Sequence, residues 1–102
     1  MKIKKVCVIG MGTMGSQIGV VCARGGCATA MVDTSSDQVE RGMKNIESFL
    51  HGLEKKGKID GEAKEKVLSL ITAGTDIPKS AKDADLVIEA VYEDIAVKKD
   101  TF

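Results

Sequence analysis

The sequence predicts an α/β fold built on a parallel sheet, and three observations carry that expectation. An apolar run, Ile3 to Ile9, leads straight into a glycine turn, Gly10-Met11-Gly12-Thr13-Met14-Gly15. The turn opens directly into a segment with helical periodicity. A second short apolar run then closes on an acid, Asp33. Strands that alternate with helical patterns point to βαβ units, whose strands lie parallel with both faces covered.

The first strand owes its character to Val6, Val8 and Ile9, and Gly10 ends it. A helix follows from Thr13 to Arg24, with Met14, Ile18, Val21 and Cys22 expected on one buried face. Gly25-Gly26 stop it, and Arg24 sits favourably at its negative end. Thr29 to Val32 is the second strand. Ser35 and Gln38 form a capping box that opens the next helix. Along it, Val39, Met43, Ile46, Leu50 and Leu53 make a narrow seam, the mark of a helix packed mainly against one partner helix. Ala63, Val67 and Leu70 supply that partner beyond the turn Lys55-Lys56-Gly57-Lys58, so an antiparallel helical hairpin is expected over about 36–70.

Ala73 to Thr75 is expected to be a brief third strand, and Asp76 to Asp85, with Pro78, a loop holding one helical turn at most. Leu86 to Val91 reads as the fourth strand, and a further helix is expected from Ile95. The sheet order is then 3-2-1-4, half of a doubly wound sheet. In that arrangement the outer edge of strand 86–91 is bare and apolar, which invites pairing with another chain. A homo-oligomer formed through this edge, or through an exposed hairpin seam, is the expected assembly.

Bulk properties narrow the function classes. At 102 residues the chain is one small domain, 1–102, with 43% apolar and 29% charged residues. Fifteen basic residues balance fifteen acidic ones, so no basic surplus points to nucleic acid. No apolar stretch approaches a membrane span, and the apolar run after Lys2, Lys4 and Lys5 is broken by Gly10, Gly12, Gly15 and Gln17. A soluble, cytoplasmic protein is expected, with no membrane partner. Cys7, Cys22 and Cys27 form an odd set without metal-ligand spacing, and His51 is the one histidine. They read as small, partly buried thiols in a reducing compartment, and no metal site is expected.

The glycine string is weak evidence alone, but here it follows a strand and opens a helix, as a dinucleotide fingerprint requires. Gly10 allows the tight turn, Gly12 lets a pyrophosphate approach the backbone, and Gly15 lets helix pack on strand. The free amides and positive dipole end of the helix suit phosphates. Asp33 ends the second strand close to the separation of about 20 residues at which the ribose-binding acid lies. A carboxylate there accepts from both adenine-ribose hydroxyls and repels a 2′-phosphate, which selects NAD over NADP. The fold class is therefore a Rossmann-type parallel sheet with NAD as cofactor, and the turn residues 10–15 and Asp33 are its candidate binding residues.

The run Val6-Cys7-Val8-Ile9-Gly10-Met11-Gly12-Thr13-Met14-Gly15-Ser16 resembles the amino end of 3-hydroxyacyl-CoA dehydrogenases, especially the bacterial 3-hydroxybutyryl-CoA type. The likeness continues through Val32-Asp33 and Lys55-Lys56-Gly57-Lys58-Ile59. It returns in Ala84-Asp85-Leu86-Val87-Ile88-Glu89-Ala90-Val91, then Glu93 and Lys98. The resemblance implies an oxidoreductase of fatty-acid metabolism, transferring hydride between NAD and C3 of a 3-hydroxyacyl-CoA or 3-oxoacyl-CoA. It implies that Glu93 and Lys98 line the cofactor cleft, and that Lys56 meets the phosphates of an acyl-CoA substrate. It also implies that the catalytic residues lie beyond this chain, because family members are nearly three times as long. A chain that stops inside a helix without a cap near Phe102 reads as the amino-terminal part of such an enzyme. Two other readings stay open: a non-catalytic nucleotide-binding module, and a dehydrogenase of short 3-hydroxy acids.

Overall fold

The computed structural model describes residues 3–91 and 94–99, with Val91 and 94–99 described by backbone alone. The elements are β1 (Lys5–Ile9), α1 (Thr13–Arg24), β2 (Ala28–Val32), α2 (Ser36–Lys55), α3 (Gly61–Leu70), β3 (Ile71–Gly74), α4 (Ile77–Asp83), β4 (Leu86–Val91) and β5 (Asp94–Lys99). They form one sheet in the order β3-β2-β1-β4-β5. The first four strands run parallel in the expected 3-2-1-4 order, and β5 is antiparallel to β4.

Strand pleating sends alternate residues to opposite faces. Val6, Val8, Met31, Ile71 and Ile88 meet Val20 and Ala23 of α1, Ile46 and Leu50 of α2, and Val67 of α3 in the main core. On the other face Cys7, Val32 and Ala84 form a smaller core with Ile9, Ile77, Ala81 and Val87. β1 is thus covered on both faces, which explains its unbroken apolar run. The start of β4 is tied to β1 by one carboxylate. Asp85 Oδ2 accepts from the N–H groups of Lys4 (2.9 Å) and Lys5 (3.0 Å), and Asp85 N donates to Lys5 O (2.8 Å). These bonds hold the Asp85 carboxyl below its usual range, with nearby Lys5 and Lys4 charges adding to the effect.

The structure departs from the sequence-based expectations in five places. The buried face of α1 is Gly15, Ser16, Gly19, Val20 and Ala23, while Val21 is 68% exposed. Small residues face inward because α1 lies close against other elements: a Cβ at Gly19 would strike the Met31 side chain. α2 packs against α1 as well as α3, and it fully buries only Gly42, Ile46 and Leu50. β3 begins at Ile71 because α3 passes into it without a loop, bringing Ile71 into register with Thr29. The segment after it is the helix α4, since Asp76 Oδ1 caps it by accepting from Lys79 N (3.2 Å) and Pro78 fits its first turn.

The fifth departure concerns the edge of the sheet. Strand 86–91 is not bare: β5 covers it, with Leu86 paired to Lys99 and Val91 to Asp94, where a helix from Ile95 was expected. The unpaired N–H and C=O row of an apolar edge strand is the strongest nearby partner for an extended segment with Ile95 and Val97. The expected self-association through a bare 86–91 edge is therefore overturned by this pairing.

Candidate functional site

The glycine turn lies where β1 meets α1, at the carboxyl ends of the parallel strands. Gly10 has φ 104°, a left-handed conformation open mainly to glycine, and its N–H donates to Val32 O (2.8 Å). A Cβ on Gly10 would strike the Ala90 carbonyl oxygen, and one on Gly15 would strike Gly10 O. Both glycines are thus required by the protein's own backbone packing. Gly12 differs: among the described residues a Cβ there meets no atom within 4 Å, and the residue lines open space. Among the described residues nothing requires glycine at Gly12, and its smallness leaves the cleft open there.

That space is a cleft of about 750 Å³ lined by Gly10, Gly12, Thr13, Met14, Gly15 and Asp33, with Gln17, Thr34, Gln38, Ile77 and Ala90 around them. Gly12 is the N-cap of α1, and no side chain caps the helix there. The first amides of a helix lack intrahelical acceptors, so an uncapped terminus in a cleft offers donors and a positive dipole end to an anion.

Asp33 sits across the turn and is only partly buried. Its Oδ2 accepts from Met11 N (3.0 Å) and its Oδ1 from Ser35 N (3.2 Å), with the Thr34 hydroxyl 3.5 Å away. The carboxylate therefore braces the glycine turn. Two oxygens hold about four acceptor sites, and these three donors leave capacity for about one hydroxyl from the cleft. The capping box is seen only in part. Ser35 Oγ accepts from Gln38 N (3.4 Å), but Ser35 N–H goes to Asp33, and Gln38 lines the cleft.

Met11 presents its backbone to the turn but sends its side chain, fully buried, into the main core. There it meets Gly42 of α2, and the Ser16 hydroxyl lies 3.5 Å from Met11 O and 3.4 Å from Gly42 O. The turn is thus seated on α2 as well as α1. Lys56 is exposed at the C-cap of α2. The 20 residues of α2 put it about 30 Å from the end of the helix that borders the cleft, so the structure does not bring it to that site. Glu93 lies outside the described residues. Lys98 is placed in β5, opposite Val87, by its backbone. His51 is exposed on α2, away from the cleft lining.

Sequence reasoning missed Thr34, Gln17, Gln38, Ile77 and Ala90 as cleft residues. Gln17 follows the turn by two residues and Thr34 adjoins Asp33, so proximity to the motif was an available signal. Ile77 and Ala90 arrive only through the fold. Among the described residues, no group of His, Cys, Asp or Glu is placed to hold a metal ion, and no helix is long and apolar enough to cross a membrane.

The family model described as 3-hydroxyacyl-CoA dehydrogenase, NAD binding domain, matches residues 5–102. The human mitochondrial hydroxyacyl-coenzyme A dehydrogenase is 37% identical over 105 residues, covering 98% of this chain and 33% of that protein. The peroxisomal fatty acid beta-oxidation multifunctional protein of Oryza sativa is 37% identical over 101 residues, 99% of this chain and 14% of that one. Among solved structures, (S)-3-hydroxybutyryl-CoA dehydrogenase from Ralstonia eutropha superposes with a TM-score of 0.84 at 36% identity, over 91% of this chain and 32% of that one. The chain spans about a third or less of the length of these relatives. The match runs over the glycine turn, Asp33, the hairpin and β4 together, and the chain belongs to the NAD-binding domain family of the 3-hydroxyacyl-CoA dehydrogenases.

Proposed function

We propose that this chain forms the NAD-holding part of an oxidoreductase that moves hydride between NAD and C3 of a 3-hydroxyacyl-CoA or 3-oxoacyl-CoA. The observation that carries the reading is the uncapped amino end of α1, which opens at Gly12 into a large cleft bordered by the Asp33 carboxylate. The fit to a dinucleotide is chemical: helix amides for the pyrophosphate at one end, and a charged acceptor for ribose hydroxyls at the other. NAD, when bound, supplies the hydride acceptor. The residues of this chain bind and orient it. Gly12 admits the pyrophosphate, the amides of Thr13 and Met14 face it, and Asp33 takes the adenine ribose and disfavours a 2′-phosphate. Ile77 offers an apolar wall for the adenine.

The chain as a single unit, 1–102 with the hairpin at about 36–70, is the proposed cofactor module, and the general base belongs to the remainder of the enzyme. Lys98 and Glu93 as cofactor contacts, Lys56 as a contact for CoA phosphates, a homo-oligomeric enzyme and a cytoplasmic location complete the proposal. Support for the last is that Cys7, Cys22 and Cys27 are an odd set without the paired spacing of a disulfide framework.

Titration of the chain with ADP-ribose, NADH and NADPH tests the reading. NADH and ADP-ribose are expected to bind, NADPH much more weakly, and Asp33→Ala to lower NADH affinity roughly 10- to 100-fold. Equal affinity for NADH and NADPH would overturn the assignment of Asp33. Reduction of acetoacetyl-CoA by the chain without further segments would overturn the division of labour. Fractionation of cells locates the protein.

A further inference from the structure

The carboxyl end of α1 carries a feature that cofactor binding does not use. Gly25 caps the helix and Gly26 turns left-handed, with φ 94°. Gly26 N donates to Ala23 O (3.0 Å) and Cys27 N donates to Cys22 O (3.1 Å). This pair of bonds is a Schellman motif, which brings together the side chains of the residues three before the cap and two after it. That contact is usually apolar. Here both positions are cysteine, Cys22 and Cys27.

Both thiols are free, both are half-buried, and both pack at the margin of the main core. The 3.1 Å backbone bond, with standard bond lengths, limits their Cα separation to about 7 Å. A disulfide needs roughly 4.4–6.8 Å, so little movement is required, and two glycines between the cysteines can supply it. Burial pushes the Cys22 thiol up, and the charge of Cys27 pushes it further, as two neighbouring sulfurs would. Cys7 is different in kind: it is fully buried in the smaller core, on the opposite face of the sheet.

We propose that Cys22 and Cys27 form a reversible intramolecular disulfide and are a modification site whose co-reactant is a low-molecular-weight disulfide of the glutathione type. Cys27, as thiolate, attacks one sulfur of the small disulfide; that S–S bond breaks and one small thiolate leaves with its electron pair. Cys22 then gives its proton to solvent and attacks the Cys27 sulfur of the mixed disulfide, expelling the second small thiolate. Two protein S–H bonds are lost and one S–S bond is formed, while the small disulfide is reduced to two thiols. Cys27 gives up its 3.5 Å contact to Ile3 O in the process. The link staples the end of α1 to the start of β2, on the helix whose other end forms the cofactor turn.

The full chain, folded and incubated with glutathione disulfide, is the test. Free thiols are expected to fall from three to one, with a mass loss of two hydrogens and full recovery on adding a reductant. Trypsin cuts after Arg24, between the two cysteines, so the peptides beginning at Val6 and Gly25 should stay joined until reduced. Cys7→Ser should leave this result unchanged, which assigns the link to Cys22. Cys22→Ser should stop at a single glutathione adduct on Cys27. Wild-type protein that keeps three free thiols, or that collects glutathione adducts without a cross-link, overturns the proposal. So does a cross-link that survives Cys22→Ser. The peptide map of the wild-type chain decides the matter even if a variant folds poorly.

Discussion

Two glycines of α2 should respond to the same substitution with opposite sign, because the space beside them differs. Replacing a helix-interior glycine with alanine gains about 0.5–1 kcal/mol from backbone propensity. At Gly52 a Cβ meets nothing within 4 Å among the described residues, so that gain should appear in full. At Gly42 a Cβ would sit 2.8 Å from Met11 Cβ, 2.9 Å from Met11 Cε and 2.9 Å from Met11 O. The methionine end can move, but the carbonyl belongs to the glycine turn, which Asp33 and Ser16 also hold. Overpacking of this kind costs about 1–3 kcal/mol, which outweighs the propensity gain. In a comparison of Gly42→Ala with Gly52→Ala the propensity terms cancel and the overpacking remains. For a domain of this size 1 kcal/mol moves the melting midpoint by about 4–8 °C, so the two variants should differ by at least about 4 °C. Thermal and urea unfolding measure it. Gly42→Ala should also bind NADH more weakly, since the displaced atoms belong to the turn. Equal stability of the two variants would refute the reasoning, because it would mean that α2 is not seated on Met11.

Gly10→Ala should be destabilised by more than about 1–3 kcal/mol in urea unfolding, since strain at φ 104° is added to collision with the Ala90 carbonyl. Cys7, buried in the smaller core, has its thiol pushed up from 9.0 to about 11 by burial. The unfolded thiol therefore ionises first: this group's contribution is full below 9.0 and is lost as pH rises towards about 11, by at most about 1.4 kcal/mol per pH unit. Urea midpoints across that range should fall less in Cys7→Ala than in the wild type. Asp85 behaves in the opposite sense. Its lowered carboxyl contributes stability above the ordinary 3.8, lost as pH falls through its folded value, and Asp85→Asn should flatten the acid limb of the same measurement.

Most of the parallel sheet was legible because each part is specified by neighbours in sequence. The strand-turn-helix from Lys5 to Arg24 and the strand closed by Asp33 follow from periodicity and glycine placement, while the strand order follows from the doubly wound topology that such a glycine turn implies. Other features depended on partners that a linear pattern does not reveal. The α1 face differs from its apolar pattern because its inward side is mostly small: Gly15, Ser16, Gly19 and Ala23 beside Val20. A search for large apolar residues passes over positions chosen for close approach. The helix α4 was hidden by Pro78, which breaks a helix interior but fits a first turn capped by Asp76. β5 was read as helix because its pairing with β4 is a property of the sheet edge.

By itself the sequence determined the make-up of the glycine turn: three glycines and one acid at the separations of a dinucleotide fingerprint, which are local backbone requirements. Only the tertiary structure decided how those requirements divide. Gly10 and Gly15 are small because Ala90 and Gly10 O press against them, whereas Gly12 is small with no atom of the described residues within 4 Å of its Cβ position. Asp33 likewise proved to have a second task, holding Met11 N and Ser35 N while bordering the cleft. Spacing along the chain records which residue types are needed. Contact across the fold decides whether the protein or its ligand needs them.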